Sequence, residues 1–164
     1  RVLDIACGRS PSYARLLPEG IDLVRTDLTA SQSVTAVDMN KPLPFEDASF
    51  DVVLQIDTLQ HLRNAEVMLQ ETVRVGRVGI VAFPNFAHWP NRLSVLKGRM
   101  PVTKRLPYQW FDTPNIRVGT HADLGRLAQL SGLCVHDSFG IEDGETVRFL
   151  PNLLAGTSVY RLSR

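Results

Sequence analysis

The residues of this 164-residue chain that could do chemistry begin with three carboxylates, Asp4, Asp27 and Asp38, and two small residues, Ala6 and Gly8. Asp4 lies in an apolar run that turns at Ala6-Cys7-Gly8; Asp27 closes the next run about 20 residues beyond the glycine, and Asp38-Met39 closes a third. Ala6 and Gly8 would let backbone approach a bound molecule closely. The G-x-G-x-x-G spacing that cradles a pyrophosphate is absent, and an acid before the turn suits a cationic ligand better than a diphosphate. A carboxylate at Asp27 can accept both hydroxyls of a ribose. At Asp38 a carboxylate can take an adenine amino group while the Met39 thioether lies against the ring. Each acid also has a plainer use, as a turn brace, a cap or a solvated loop residue. Together their spacing predicts a nucleoside site along one rim.

Such a rim needs strands that end side by side. Short apolar runs alternate with helical patterns, as expected for a mostly parallel sheet built from βαβ units. Strands are expected at 1–6, 21–26, 34–38, 51–56 and 78–83, with two later ones at 133–139 and 158–162. A strand with no lead-in predicts that further residues precede Arg1. Ser10-Pro11 reads as an N-cap followed by proline, opening a short helix to Leu17. Asn64 is expected to cap a helix over 65–75, with Ala65, Leu69, Thr72 and Val73 on one face. Thr120 and Asp123 form a capping-box-like start whose stripe of Leu124, Leu127 and Ala128 stops at Gly132. Between Asp27 and Asp38 too few residues intervene for a full crossover helix, so that connection is expected to be a loop or a single turn. A proline-punctuated, aromatic insertion fills 84–120.

Composition bounds the rest. Apolar residues are 44% and charged residues 21%, a globular balance of a size suited to one domain over 1–164. Lys and Arg number 18 against 17 acids, which argues against general nucleic-acid coating. The two cysteines, Cys7 and Cys134, form neither a metal-ligand cluster nor a disulfide framework, so a cytoplasmic setting and no metal are expected. No apolar run has the length of a membrane span.

Val2-Leu3-Asp4-Ile5-Ala6-Cys7-Gly8, the Asp27 turn, and Leu43-Pro44-Phe45-Glu46-Asp47-Ala48-Ser49-Phe50-Asp51-Val52-Val53 resemble successive motifs of class I S-adenosylmethionine-dependent methyltransferases. Ala6 and Ser10 stand where that superfamily usually has glycines. Thr58-Leu59-Gln60, Val73-Arg74-Val75-Gly76-Arg77, Phe83-Pro84-Asn85-Phe86-Ala87-His88-Trp89, Gly98-Arg99-Met100-Pro101-Val102-Thr103-Lys104 and Leu106-Pro107-Tyr108-Gln109-Trp110-Phe111-Asp112-Thr113-Pro114-Asn115-Ile116 resemble the methionine biosynthesis protein MetW family. The resemblance implies an α/β, Rossmann-like open sheet, mostly parallel with an antiparallel C-terminal strand, helices on both faces and a shortened second crossover. It implies S-adenosylmethionine or S-adenosylhomocysteine as cofactor, held by Asp4, Ala6, Gly8, Asp27, Leu28, Asp38, Met39 and Gln55. It further implies a role in methionine biosynthesis beside homoserine O-acetyltransferase.

Two functions remain open from the residues. As a methyltransferase on a small molecule, the chain would work by holding nucleophile and methyl in line, with a general base for a hydroxyl acceptor. His61 is the candidate base, with Asp57 near it in sequence; both could equally serve the local backbone. As an accessory protein, the chain would use its insertion. No acid occurs between Glu71 and Asp112, while Arg74, Arg77, Arg92, Lys97, Arg99, Lys104 and Arg105 are cationic and Phe86, Trp89, Tyr108, Trp110 and Phe111 interleave with the later ones. Such a surface suits an acidic substrate or a partner protein, or it packs as a lid.

Overall fold

A computed structural model describes residues 1–8, 16–31 and 33–164. The helix expected from Ser10 to Leu17 falls largely outside them. Among the described residues one sheet holds eight strands in the order β3-β2-β1-β4-β5-β8-β6-β7. These are β1 (Val2–Ile5), β2 (Leu23–Asp27), β3 (Thr35–Ala36), β4 (Phe50–Ile56), β5 (Gly76–Pro84), β6 (Cys134–Glu142), β7 (Glu145–Val147) and β8 (Thr157–Ser163). From β3 through β5 all pairings are parallel, whereas β8 runs antiparallel between β5 and β6. The hairpin strand β7 was not expected, because the run after Asp143-Gly144 is too short and polar to read as a strand. The link from β2 to β3 is indeed a tight loop, closed by a Ser31–Val34 bridge.

The helix α1 (Ala65–Val75) buries Met68, Leu69, Thr72, Val73 and Val75. Its residues enter two core clusters, one with Leu3, Ile5, Phe50 and Val53, the other with Val81, Phe83, Leu124 and Leu162. The Asn64 side chain makes no capping bond, contrary to expectation. In α3 (His121–Leu130) the predicted capping box is complete, with Thr120 and Asp123 serving each other's backbone amides. Two helices went unforeseen. α2 (Trp89–Leu96) starts with proline in its first turn, where the missing N–H costs nothing, and α4 (Pro151–Leu154) is a single turn of the same kind.

Polar side chains lock this frame in two places. Arg74 donates to both carboxylate oxygens of Glu71 at 2.6 and 2.7 Å, to Asp47 at 2.8 Å, and to the Leu43 and Phe45 carbonyls. Glu71 also accepts the Leu43 amide at 2.7 Å, so α1 fixes the loop that precedes β4. Asn85, just past β5 and 1% exposed, has the second role. Its Nδ2 donates to the Pro151, Asn152 and Ala155 carbonyls, and its Oδ1 accepts the Ala87 and His121 amides.

Candidate functional site

The carboxyl ends of β1, β2 and β3 form one edge. β1 turns through Ala6 at φ 56° and Gly8 at φ 65°, both in the left-handed region. Glycine accepts that conformation freely; Ala6 adopts it at a cost of about 1 kcal/mol. The turn brings the Gly8 amide to 2.9 Å from Asp27 Oδ2, while Asp27 Oδ1 accepts the Leu28 amide at 2.7 Å. Asp27 thus ties the first loop to the second strand. A carboxylate has about four acceptor sites, so both oxygens keep capacity for a ligand's hydroxyls. Leu28 is exposed beside it.

Asp4 lies one position below this rim. It sits inside β1, opposite Arg25 and Leu54, and is 1% exposed, so it is a buried acid beneath the loop rather than a strand tip. Burial, followed by the negative charges of Asp4 and Asp27, pushes the Cys7 thiol up, which marks both acids as near neighbours of the turn. Asp38 follows β3 and accepts the Asn40 amide at 3.0 Å; that bond chiefly holds its carboxyl below the usual range.

Two of the expected contact residues are buried. Met39 is buried with Val37, Leu43 and Phe50, because the chain after β3 turns it into the first core cluster; its thioether is committed there. Gln55 is fully buried beneath α1, where Thr72 Oγ1 donates to its Oε1 at 3.3 Å, so it braces helix against strand instead of reaching the rim.

Across β4 and β5 the same edge carries a second group. Asp57 ends β4 with φ 51°, and burial raises its carboxyl, with Arg105 and His61 pulling the other way. His61 closes a 3-10 turn (Leu59–His61), and its Nδ1 lies 3.2 Å from the Pro114 carbonyl. A carbonyl only accepts, so this bond requires a proton on Nδ1, and in the neutral ring the lone pair is then on Nε2. The Ile116 and Arg117 amides bond the Gln60 carbonyl, and the Arg117 guanidinium holds the Leu62 and Arg63 carbonyls. At the insertion's other side Lys104 reaches Asp143 at 3.4 Å. The insertion therefore closes over the ends of β4 and β5.

Under it, His88 Nε2 stands 3.8 Å from Glu142 Oε2, which accepts the Gly156 amide at 2.7 Å. A β-carbon on Gly156 would fall 2.7 Å from that oxygen, 3.2 Å from Arg105 Cγ and 3.3 Å from His88 Nδ1. Sequence reasoning named Arg105 only as one cation among several and missed His88, Glu142 and Asn85. Asn85 and His88 share one short segment, but Glu142 lies far from it in sequence, and no local motif joins it to them. Among the described residues no three His, Cys, Asp or Glu side chains gather to hold a metal ion. Nor is any helix long and apolar enough to cross a membrane.

Comparison with known proteins places this geometry. The chain is similar in fold to an S-adenosylmethionine-dependent methyltransferase of Thermotoga maritima, with a TM-score of 0.66 at 17% identity over 99% of this chain and 81% of the other. It is likewise similar to one of Mesorhizobium loti, with a TM-score of 0.64 at 13% identity over 100% and 90%. A bifunctional methionine biosynthesis protein, MetXA/MetW, of Rhodopirellula baltica is 32% identical over 188 aligned positions, covering 99% of this chain. The chain spans 30% of that relative's length. The family described as methionine biosynthesis protein MetW matches residues 1–162. On the strength of that match along nearly its whole length, joined to a methyltransferase sheet, the chain belongs to the MetW family.

Proposed function

We propose that this chain binds S-adenosylmethionine at the β1–β2 edge and serves homoserine O-acetyltransferase as an accessory partner in methionine biosynthesis. The single observation that carries the partnership is the Rhodopirellula relative, in which a MetXA unit and a MetW unit share one polypeptide. Fusion holds two modules at high effective concentration, an arrangement that favours units that work together. For the ligand, Asp27 would accept the ribose hydroxyls, Gly8 and Ala6 would give backbone access, and Leu28 would cover one side of the base. The bound group would supply an electrophilic methyl carried on a sulfonium. Co-purification of this chain with homoserine O-acetyltransferase tests the partnership; separate elution of the two proteins would defeat it. Calorimetry with S-adenosylmethionine and its demethylated product tests the site. Asp27→Ala should weaken binding of both about tenfold or more, and equal heats for the variant and the parent would remove Asp27 from that role.

A second reading, an active small-molecule methyltransferase, has one observation in its favour. The Pro114 carbonyl fixes the His61 tautomer with Nε2 free to accept a proton from a hydroxyl acceptor. Incubating cell extract with labelled methyl donor would reveal a methylated product, lost in His61→Ala. Absence of any product despite donor binding would favour the accessory role.

A further inference from the structure

α2 packs the wrong way round for a surface helix. Asn91 is its one buried residue, and polar bonds hold the helix down: Asn91 Nδ2 donates to the Asn85 carbonyl at 3.2 Å and Arg92 Nε to the Ala87 carbonyl at 2.6 Å. Its apolar stripe faces solvent instead, with Trp89 49%, Leu93 44% and Leu96 82% exposed at spacings of four and three residues. Beyond the helix end, a hollow of about 780 Å3 lies between Ser94 and Lys97 on one side and Gln109 and Trp110 on the other, with Arg99 also in its wall. Trp110 and Phe111, 72% and 70% exposed, stack edge to face at 5.7 Å beside it. Soluble proteins seldom expose this many large apolar side chains in one short segment without a use.

We propose that this face is where the partner protein docks, taking an apolar projection into the hollow and setting an acidic rim against Lys97 and Arg99. The proposal rests on the accessory reading above and adds the place and chemistry of contact. Charge selects the occupant: residues 89–111 contain five cations and no acid. A two-fold contact with a second copy would press Lys97 and Arg99 against their own images, which disfavours self-association. A folded partner supplies a side chain of fixed shape for the hollow, whereas lipid would fill it without selecting that shape. Exposed tryptophans among cations form the usual anchors of protein interfaces.

Both tryptophans of the chain, Trp89 and Trp110, lie on this face, so they report on it alone. Labelling the chain with 5-fluorotryptophan and adding unlabelled homoserine O-acetyltransferase should shift or broaden both fluorine resonances. Leu96→Glu, at a solvent-exposed position, should weaken the complex about tenfold or more, and raised salt should weaken the parent complex. Leu130→Glu, at the exposed last residue of α3, should bind as the parent does. A complex seen by gel filtration with both resonances unmoved and Leu96→Glu binding normally would overturn the face while leaving the accessory reading intact. No complex and no resonance change would overturn both together. Resonances that move with phosphatidylserine vesicles, or with the chain's own concentration, but not with the acetyltransferase, would give the face to lipid or to a second copy and overturn the proposal.

Discussion

The β3-β2-β1 side of the sheet and the β5-β8-β6 side are held together by different means. On the first, β3 has two residues and β1 four, and the rim is shaped by left-handed turns and by carboxylate-to-amide bonds such as Asp27 to Gly8. On the second, strands of seven to nine residues carry a frame in which one buried amide, Asn85, binds segments of α4 and α3 and the approach to α2. Stability is unevenly spread in such a molecule. Among the described residues the β1–β2 rim rests on few bonds, and the platform under the insertion is strongly cross-linked.

The largest test of that contrast is Asn85→Ala. It orphans buried carbonyls and amides at once and should destabilise the chain by about 3 kcal/mol in denaturant unfolding. Asp27→Ala, by contrast, should cost about 1 kcal/mol or less. Equal losses would erase the distinction between the two sides.

Next comes the Glu71–Arg74 pair that holds the loop before β4. The hydrogen bond from Arg74 is the main reason the Glu71 carboxyl lies below the ordinary glutamate range, with the Leu43 amide adding to it. A depressed acid stabilises the fold fully above its unfolded value and loses that contribution as pH falls through the lower folded value. Glu71→Gln should therefore cost about 1.5 kcal/mol at neutral pH and much less in acid. Urea midpoints measured across the acid range would show a difference that shrinks; a constant difference would contradict the pairing.

His121 gives a smaller, shallower effect on the platform side. It is 8% exposed, its ring stacks 4.8 Å from that of Tyr160, and burial lowers its affinity for a proton. The unfolded chain therefore binds that proton more readily. Stability from this group is complete above about pH 6.5, the unfolded value, and declines as pH falls from there toward the folded one. His121→Gln should flatten this slope in thermal unfolding followed from neutral to mildly acidic pH.

The parallel motif of strands, the α1 span and the Thr120 capping box were legible in the sequence because each rests on local pattern: apolar runs, a 3.6-residue period, and side chains three residues apart. The Asp27–Gly8 link was half legible, since the strand-end acid and the small turn residue could be named but not their bond. The burial of Met39 and Gln55 was not legible, because a strand-end position does not reveal which way a side chain turns. Asn85, His88 and Glu142 were invisible as a group, because the segment after β5 and the end of β6 are more than fifty residues apart. The α2 stripe was half legible: the aromatics of the insertion read as either a docking surface or a lid, and the polar anchoring through Asn91 turns Trp89, Leu93 and Leu96 outward.

The smallest expected effect returns to the rim. Ala6→Gly relieves a left-handed alanine and should raise stability by about 0.5 kcal/mol or less, because glycine also frees the unfolded chain. A loss of stability would mean that the Ala6 methyl makes contacts worth more than its strain.

The central claim is that this chain acts on another enzyme through a methyltransferase fold. Homoserine O-acetyltransferase activity should be measured while the chain is titrated in, with and without S-adenosylmethionine. The account predicts a saturable change in acetylation rate whose midpoint moves with S-adenosylmethionine and is lost in the Leu96→Glu variant. An acetylation rate that stays flat throughout the titration, with both proteins folded and present in excess, would contradict it.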